Sequence, residues 1–280
     1  MASVPVHLAL ICVLLRYRNV ALFKSSFFKL LLSLTAGDLL FCSSAPFLSI
    51  AGVFRFYPRA LGTLLASITY FELTSNFIGL FFLAINRLIF MALLPFTGHL
   101  YWTNKVTFCC IAVQYGCAAG IGAILLHPNG HHTFNNTPVG YFPNVVEPSK
   151  SAPVVATGLL TMLMLMSLAG MVLCYGICIL KLIQQKLANP LPSDTLAAEL
   201  KLTLQAGALS AAAFGATVSS ISYLLCGMQA CSSWHNVAEY ICTYASCWAG
   251  STIAFAMSSQ LREHLRKLLD RSRVQPFQPI

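Results

Sequence analysis

Charge is what this sequence has least of. Only 9% of its 280 residues are charged, whereas an average soluble domain carries about 25%. The polar face that a water-soluble domain needs is missing, and 57% of the chain is hydrophobic. A mean hydropathy of +0.73 agrees, and together these values describe an integral membrane protein. The net charge of +9 would suggest nucleic acid in a soluble protein. Here it is read by position along the chain, and no nucleic-acid partner is expected.

Other absences narrow the class further. Lysine is missing between Val237 and Met257, so the last apolar run offers no Schiff base for retinal. His7 is the one histidine inside an apolar run, too few for the metal ligands of an intramembrane hydrolase, and no enzyme is expected. No run repeats another, which speaks against a transporter of inverted repeats, and none alternates like a β-barrel strand. No ladder of paired cysteines stands out either: nine of the eleven, Cys247 among them, fall within apolar runs and read as soft fillers.

What is present is a series of seven apolar runs: Ala2–Leu15, Phe27–Val53, Leu61–Ile85, Val106–Leu126, Val154–Leu180, Leu202–Cys226 and Val237–Met257. A helix needs roughly 20 residues to cross the hydrocarbon. Six runs reach that length. The first does not, so either it forms a short helix or the first helix is truncated, the reading favoured here. No small-residue cleavage site follows it, so it reads as a helix and not as a signal peptide.

Lys and Arg set the orientation. Fourteen of the seventeen flank the first, third and fifth connections or the tail, against Arg55, Arg59 and Lys150 on the opposite side. The N-terminus is therefore expected outside and the C-terminus inside. The long outer connection Leu126–Pro153 is rich in Pro, Gly and Asn and reads as an irregular loop. Asn135-Asn136-Thr137 is a candidate glycosylation sequon there, with Pro138 just beyond it. His127, His131 and His132 lie nearby and read as a solvated loop, because a structural metal site wants a fourth ligand at defined spacing. Cys226 and Cys231 bracket a short outer stretch and are a candidate loop disulfide. After the seventh run, Ser258 or Ser259 can cap a short helix with Leu261, Leu265, Leu268 and Leu269 as one apolar stripe. Arg262, Arg266 and Lys267 would face anionic lipid.

Three places carry a resemblance. Asn86-Arg87-Leu88 with Pro95 eight residues on resembles the end of helix 3 in rhodopsin-like G-protein-coupled receptors. The form AINRLIF, with Asn before the Arg, is similar to nematode serpentine chemoreceptors of the Srx type and the related Srv and Srt groups. Leu34-Thr35-Ala36-Gly37-Asp38-Leu39-Leu40 with Pro46 resembles the helix-2 motif of the same superfamily. Phe255, followed by Leu261-Arg262, matches the spacing from helix 7 into a membrane-parallel eighth helix. Departures exist: Ser251-Thr252 stand where Asn-Pro is usual, run six lacks Trp-x-Pro, and Gly62 stands about where an outer Cys is usual.

The resemblance implies an all-α bundle of seven transmembrane helices over 1–259, with an amphipathic helix and tail over 260–280. It implies a chemosensory receptor in a plasma or ciliary membrane, binding a small-molecule or peptide ligand outside and a heterotrimeric G protein inside. Asn86 and Arg87 would form the switch, with Glu199 as a resting partner. A cavity between helices 3 and 7 would be lined by Thr69, Leu73, Glu239, Tyr240 and Tyr244.

Asp38, Glu72 and Asn76 need their own explanation, because a carboxylate in mid-membrane is costly. Glu72 and Asn76 are four apart and share a helix face. In the resembled family the Asp38 face of helix 2 turns toward them, so the three could hold a sodium ion or share protons. The alternative is a protonated, hydrogen-bonded structural cluster. A channel or transporter with a path through Asp38, Glu72 and Glu239 is the second function class.

Overall fold

The computed structural model describes residues 3–20, 23–54, 59–93, 102–127, 133–137, 140–144 and 151–188, parts of 200–218, and residues 245 and 247–274. Its helices are α1 (Ser3–Arg16), α2 (Ser26–Phe54), α3 (Arg59–Leu93), α4 (Asn104–Leu126) and α5 (Ser151–Ala188). Residues 203–211 are helical (α6). They are followed by α7 (Cys247–Met257) and α8 (Ser259–Val274).

Four of these helices, among the described residues, are long and apolar enough to cross a membrane, within α2, α3, α4 and α5. At 1.5 Å per residue the 35 residues of α3 run about 50 Å, well beyond a hydrocarbon core of about 30 Å. The 14 residues of α1 fall short of it, as the brevity of the first run implies. The described part of run six is short, and run seven is described only from Ala245 on.

Helix α3 is the axis of the bundle and packs against α2, α4 and α5. Its apolar side enters one continuous core with Leu10, Phe27, Leu30, Leu31, Phe77 and Leu83 at its centre. Small residues let the helices approach. A Cβ added to Gly79 would lie 2.6 Å from Leu34 Cδ2 and 2.8 Å from Gln114 Nε2, and one on Gly170 would lie 2.3 Å from Phe81. By contrast, α4 and α5 turn Phe108, Met162, Met166, Val172 and Leu173 outward. That face suits lipid tails, which cost an apolar side chain nothing.

Polar side chains tie the helices where apolar packing gives no direction. Ser33 donates to Gln114 Oε1 (3.0 Å), Gln114 Nε2 donates to Ser75 (2.9 Å), and Tyr115 OH donates to the Ser33 carbonyl (2.7 Å). This network joins α2, α3 and α4. Tyr70 and Thr157 share a hydrogen bond of 2.8 Å between α3 and α5. At the start of α4, Thr103 accepts from the Val106 N–H, and Trp102 Nε1 donates to Thr107.

Two local expectations are corrected. The connection between α4 and α5 is not wholly irregular: β1 (Thr133–Thr137) pairs antiparallel with β2 (Gly140–Asn144), Asn135 standing opposite Phe142. Thr, Phe and Tyr favour extended backbone, and they outweighed the turn-forming residues around them. In α8 the inward stripe is Leu261, His264, Leu265 and Leu268, whereas Leu269 is 53% exposed. A helix turns 100° per residue, which carries position 269 past the packed face. The cap is as expected, with Ser258 Oγ accepting from the Leu261 N–H at 3.2 Å. Arg262 reaches back to the Phe255 and Ala256 carbonyls, satisfying the end of α7. His264 then seats α8 edge-on against Tyr17 and Phe23 beside α1.

Candidate functional site

Two buried polar centres lie along α3. The first is at mid-membrane depth, where α1, α2, α3 and α7 meet. Asp38 comes from α2, Glu72 and Asn76 come from one face of α3, and all three are within hydrogen-bond reach of one another through Asn76. Its Nδ2 donates to Asp38 Oδ1 at 2.9 Å and stands 3.5 Å from Glu72 Oε1. A buried carboxylate is tolerated only with such donors.

The structure adds two members that sequence reasoning passed over. Cys247 of α7 is not an apolar filler: its thiol donates to Glu72 Oε1 at 3.2 Å. His7 of α1 is fully buried, with Nδ1 donating to the Ser3 carbonyl at 2.7 Å. Its Nε2 stands 3.2 Å from the Cys247 carbonyl and 3.8 Å from Asp38 Oδ2. The signal for His7 was its solitude in the apolar runs. For Cys247 there was none, because its partner is 175 positions away.

Gly250 explains how α7 comes so near. A Cβ there would lie 3.2 Å from Asp38 Oδ2, tighter than nine in ten such contacts. Next to the carboxylate is a cavity of about 20 Å³ lined by Asp38, Asn76, Thr35, Leu209, Gly250 and three leucines of α2 and α3. It has room for about one water molecule or a bare ion.

The second centre is at the Lys/Arg-rich end of α3. Asn86 and Arg87 are buried, at 0% and 2% exposure, so the guanidinium does not lie in an open crevice. Arg87 Nη2 donates to Asn86 Oδ1 at 2.6 Å, and Asn86 Nδ2 donates to Ser26 Oγ at 3.0 Å at the start of α2. Phe27 and Phe90 rings lie 4.9 and 5.4 Å from the guanidinium carbon. Those aromatic faces attract the cation that the apolar surroundings would reject.

The remaining candidates are placed unevenly. Thr69 donates to the Leu65 carbonyl of its own helix, and Leu73 is packed in the core. Asn135 lies on β1. Glu199, Cys226, Cys231, His131, His132, Glu239, Tyr240 and Tyr244 lie outside the described residues.

A search of curated proteins finds no match to the chain. The family model described as serpentine type 7TM GPCR chemoreceptor Srv matches residues 1–245. That stretch contains both buried centres except for Cys247 and Gly250; it includes all of α1 and ends just before α7. The chain therefore belongs to the Srv family of seven-transmembrane serpentine chemoreceptors.

Proposed function

We propose that this chemoreceptor binds a small-molecule or peptide ligand from outside and activates a heterotrimeric G protein inside the cell. The plasma membrane, including that of a cilium, is the setting, with the N-terminus outside and the C-terminus inside. The burial of Arg87 supports the reading. A cation closed off by Asn86, Phe27 and Phe90 is held in a resting arrangement, and separating those groups would present it to a partner. Ligand binding would favour the separated arrangement by binding it more tightly.

Glu199 is the proposed resting partner of this end of the receptor. Glu199→Gln is expected to raise basal signalling in a reporter assay, and unchanged basal activity would sink the lock. Arg87→Ala is expected to abolish coupling while surface expression is retained. Persistent signalling from that variant would remove Arg87 from the mechanism. Around Asp38, Glu72 and Asn76 we propose a site that holds a cation or protons and couples the helices that must move.

A further inference from the structure

Two buried glutamines are treated in opposite ways. Gln114 of α4 is bonded through both atoms of its amide, accepting from Ser33 and donating to Ser75, and so ties α2, α3 and α4 together. Gln205 of α6 is almost as deeply buried, at 1% exposure, yet its Nε2 has no hydrogen-bond partner among the described residues. The hydroxyls of Thr203 on the same helix and of Ser251 on α7 are also buried and unpartnered there. A buried donor without an acceptor carries its full desolvation cost, which an apolar side chain of similar shape would avoid. Such groups call for a partner that a second arrangement of the helices supplies.

Helix geometry says which of these groups can meet. A Cβ on Gly250 would lie 3.9 Å from Leu209 Cδ2, so α6 touches α7 at this level. As consecutive spans of a seven-helix receptor, the two helices run in opposite directions. Gln205 shares the Leu209 face of α6 and stands about 6 Å along the axis toward the basic end. Ser251 lies about 1.5 Å beyond Gly250 in the same direction, which leaves an axial offset of about 4.5 Å between the two. An extended glutamine side chain spans most of that offset.

Both helices are also placed to make the bond late. A hydroxyl inside a helix usually bonds the carbonyl one turn back, as Thr35 does to Leu31 and Thr74 to Tyr70. Ser251 does not, and the carbonyl one turn behind it, that of Cys247, faces His7 Nε2 at 3.2 Å instead. The side chain of Ser210 ties α6 to α5 through Tyr175 OH at 3.4 Å. That is a weaker tie than the bonds of 2.7–3.0 Å that join α2, α3 and α4. A small shift of α6 therefore gives up little at α5.

We propose that Gln205 and Ser251 are two halves of a latch, apart in this arrangement, that close a hydrogen bond from Gln205 Nε2 to Ser251 Oγ when α6 shifts against α7 by less than a turn. They act as positioning residues that favour the signalling arrangement, and to that extent the latch rests on the receptor reading above. The test uses the full chain in lipid nanodiscs with Gln205→Leu, Ser251→Ala and the double variant. On the receptor alone, each single variant should raise Tm by about 2–4 °C, because it removes an unpaired buried group. Trp248, one of three tryptophans, stands three residues before Ser251 and takes a 5-fluoro label. Its ¹⁹F spectrum should show a minor second signal in the parent that is lost in Gln205→Leu. On a heterotrimer that the parent activates, basal nucleotide exchange should fall about fivefold in either single variant and no further in the double. Gln205→Met, closer in shape, carries the same expectations should Gln205→Leu misfold. A lowered Tm in either single variant, a Trp248 spectrum unchanged from the parent, or exchange losses that add in the double variant would each overturn the latch. A parent that activates no heterotrimer contradicts the receptor reading instead, and the two receptor-only measurements then decide the latch.

Discussion

The two buried centres of α3 bury charge in opposite ways. At mid-membrane, the carboxylates of Asp38 and Glu72 are met by groups from other helices, including partners 38 and 175 positions apart and His7 of α1. At the basic end, Arg87 is met by its own neighbour Asn86, by Phe90 three residues on and by Phe27. The first centre exists only when the bundle is assembled. The second draws on α3 and the start of α2, with Tyr175 and Cys178 of α5 near enough to feel the Arg87 charge. Mid-membrane charge therefore reports on global packing, whereas under the proposed function the Arg87 end is the part that rearranges. That division is what a receptor needs, since a switch must move without unfolding its scaffold.

The largest effect expected from breaking this comparison is at the shared scaffold. Gly250→Val forces a side chain against Asp38 and holds α7 away from α2. Overpacking of this kind costs about 1–3 kcal/mol, and a lowered Tm in detergent measures it. If Tm is unchanged, α7 does not approach Asp38 as described.

A smaller loss is expected from Arg87→Lys. The ammonium keeps the charge but not the planar stacking between Phe27 and Phe90, which is worth about 0.5–2 kcal/mol in such settings. Stability should fall only slightly while coupling falls more. Equal losses in both would mean that the two centres are not separable.

Cys247→Ser should change stability less again, because a hydroxyl can still donate to Glu72. Cys247→Val removes the donor and should cost clearly more, so a thermal comparison of the two variants isolates the hydrogen bond.

The smallest effect belongs to the surface. Lys267 beside Glu263 on α8 (2.6 Å) lowers that carboxyl below its ordinary 4.5, by hydrogen bond and by charge. A depressed carboxyl stabilises the helix above its unfolded value and loses the contribution as pH falls through the folded one. The window therefore lies below pH 4.5, and carboxyl NMR across it should show Glu263 titrating low in the parent and normally in Lys267→Met. The contact is exposed and screened, so no measurable loss of Tm is expected from its removal.

Most of the fold was legible because lipid imposes a simple rule: apolar runs of spanning length become helices. Four spanning helices, the short first helix and the capped α8 all follow from run length and capping chemistry. The hairpin Thr133–Asn144 was not, because five-residue strands among Asn, Pro and Gly leave no period to detect. Asp38, Glu72 and Asn76 stood out individually, since a polar group in an apolar run is conspicuous. His7 and Cys247 did not, because their membership depends on which helix faces which, and no local pattern encodes that. Gln114 was missed for the same reason: its partners Ser33 and Ser75 lie on two other helices.

The central claim is that the Asn86–Arg87 end of α3 is the contact through which this receptor acts on a G protein. Basal nucleotide exchange on a panel of heterotrimeric G proteins, measured with the chain reconstituted in nanodiscs, tests it most directly. The account predicts that the parent accelerates exchange on at least one heterotrimer and that Arg87→Ala returns it to the receptor-free rate. Equal acceleration by parent and Arg87→Ala, or none by the parent on any heterotrimer, would contradict it.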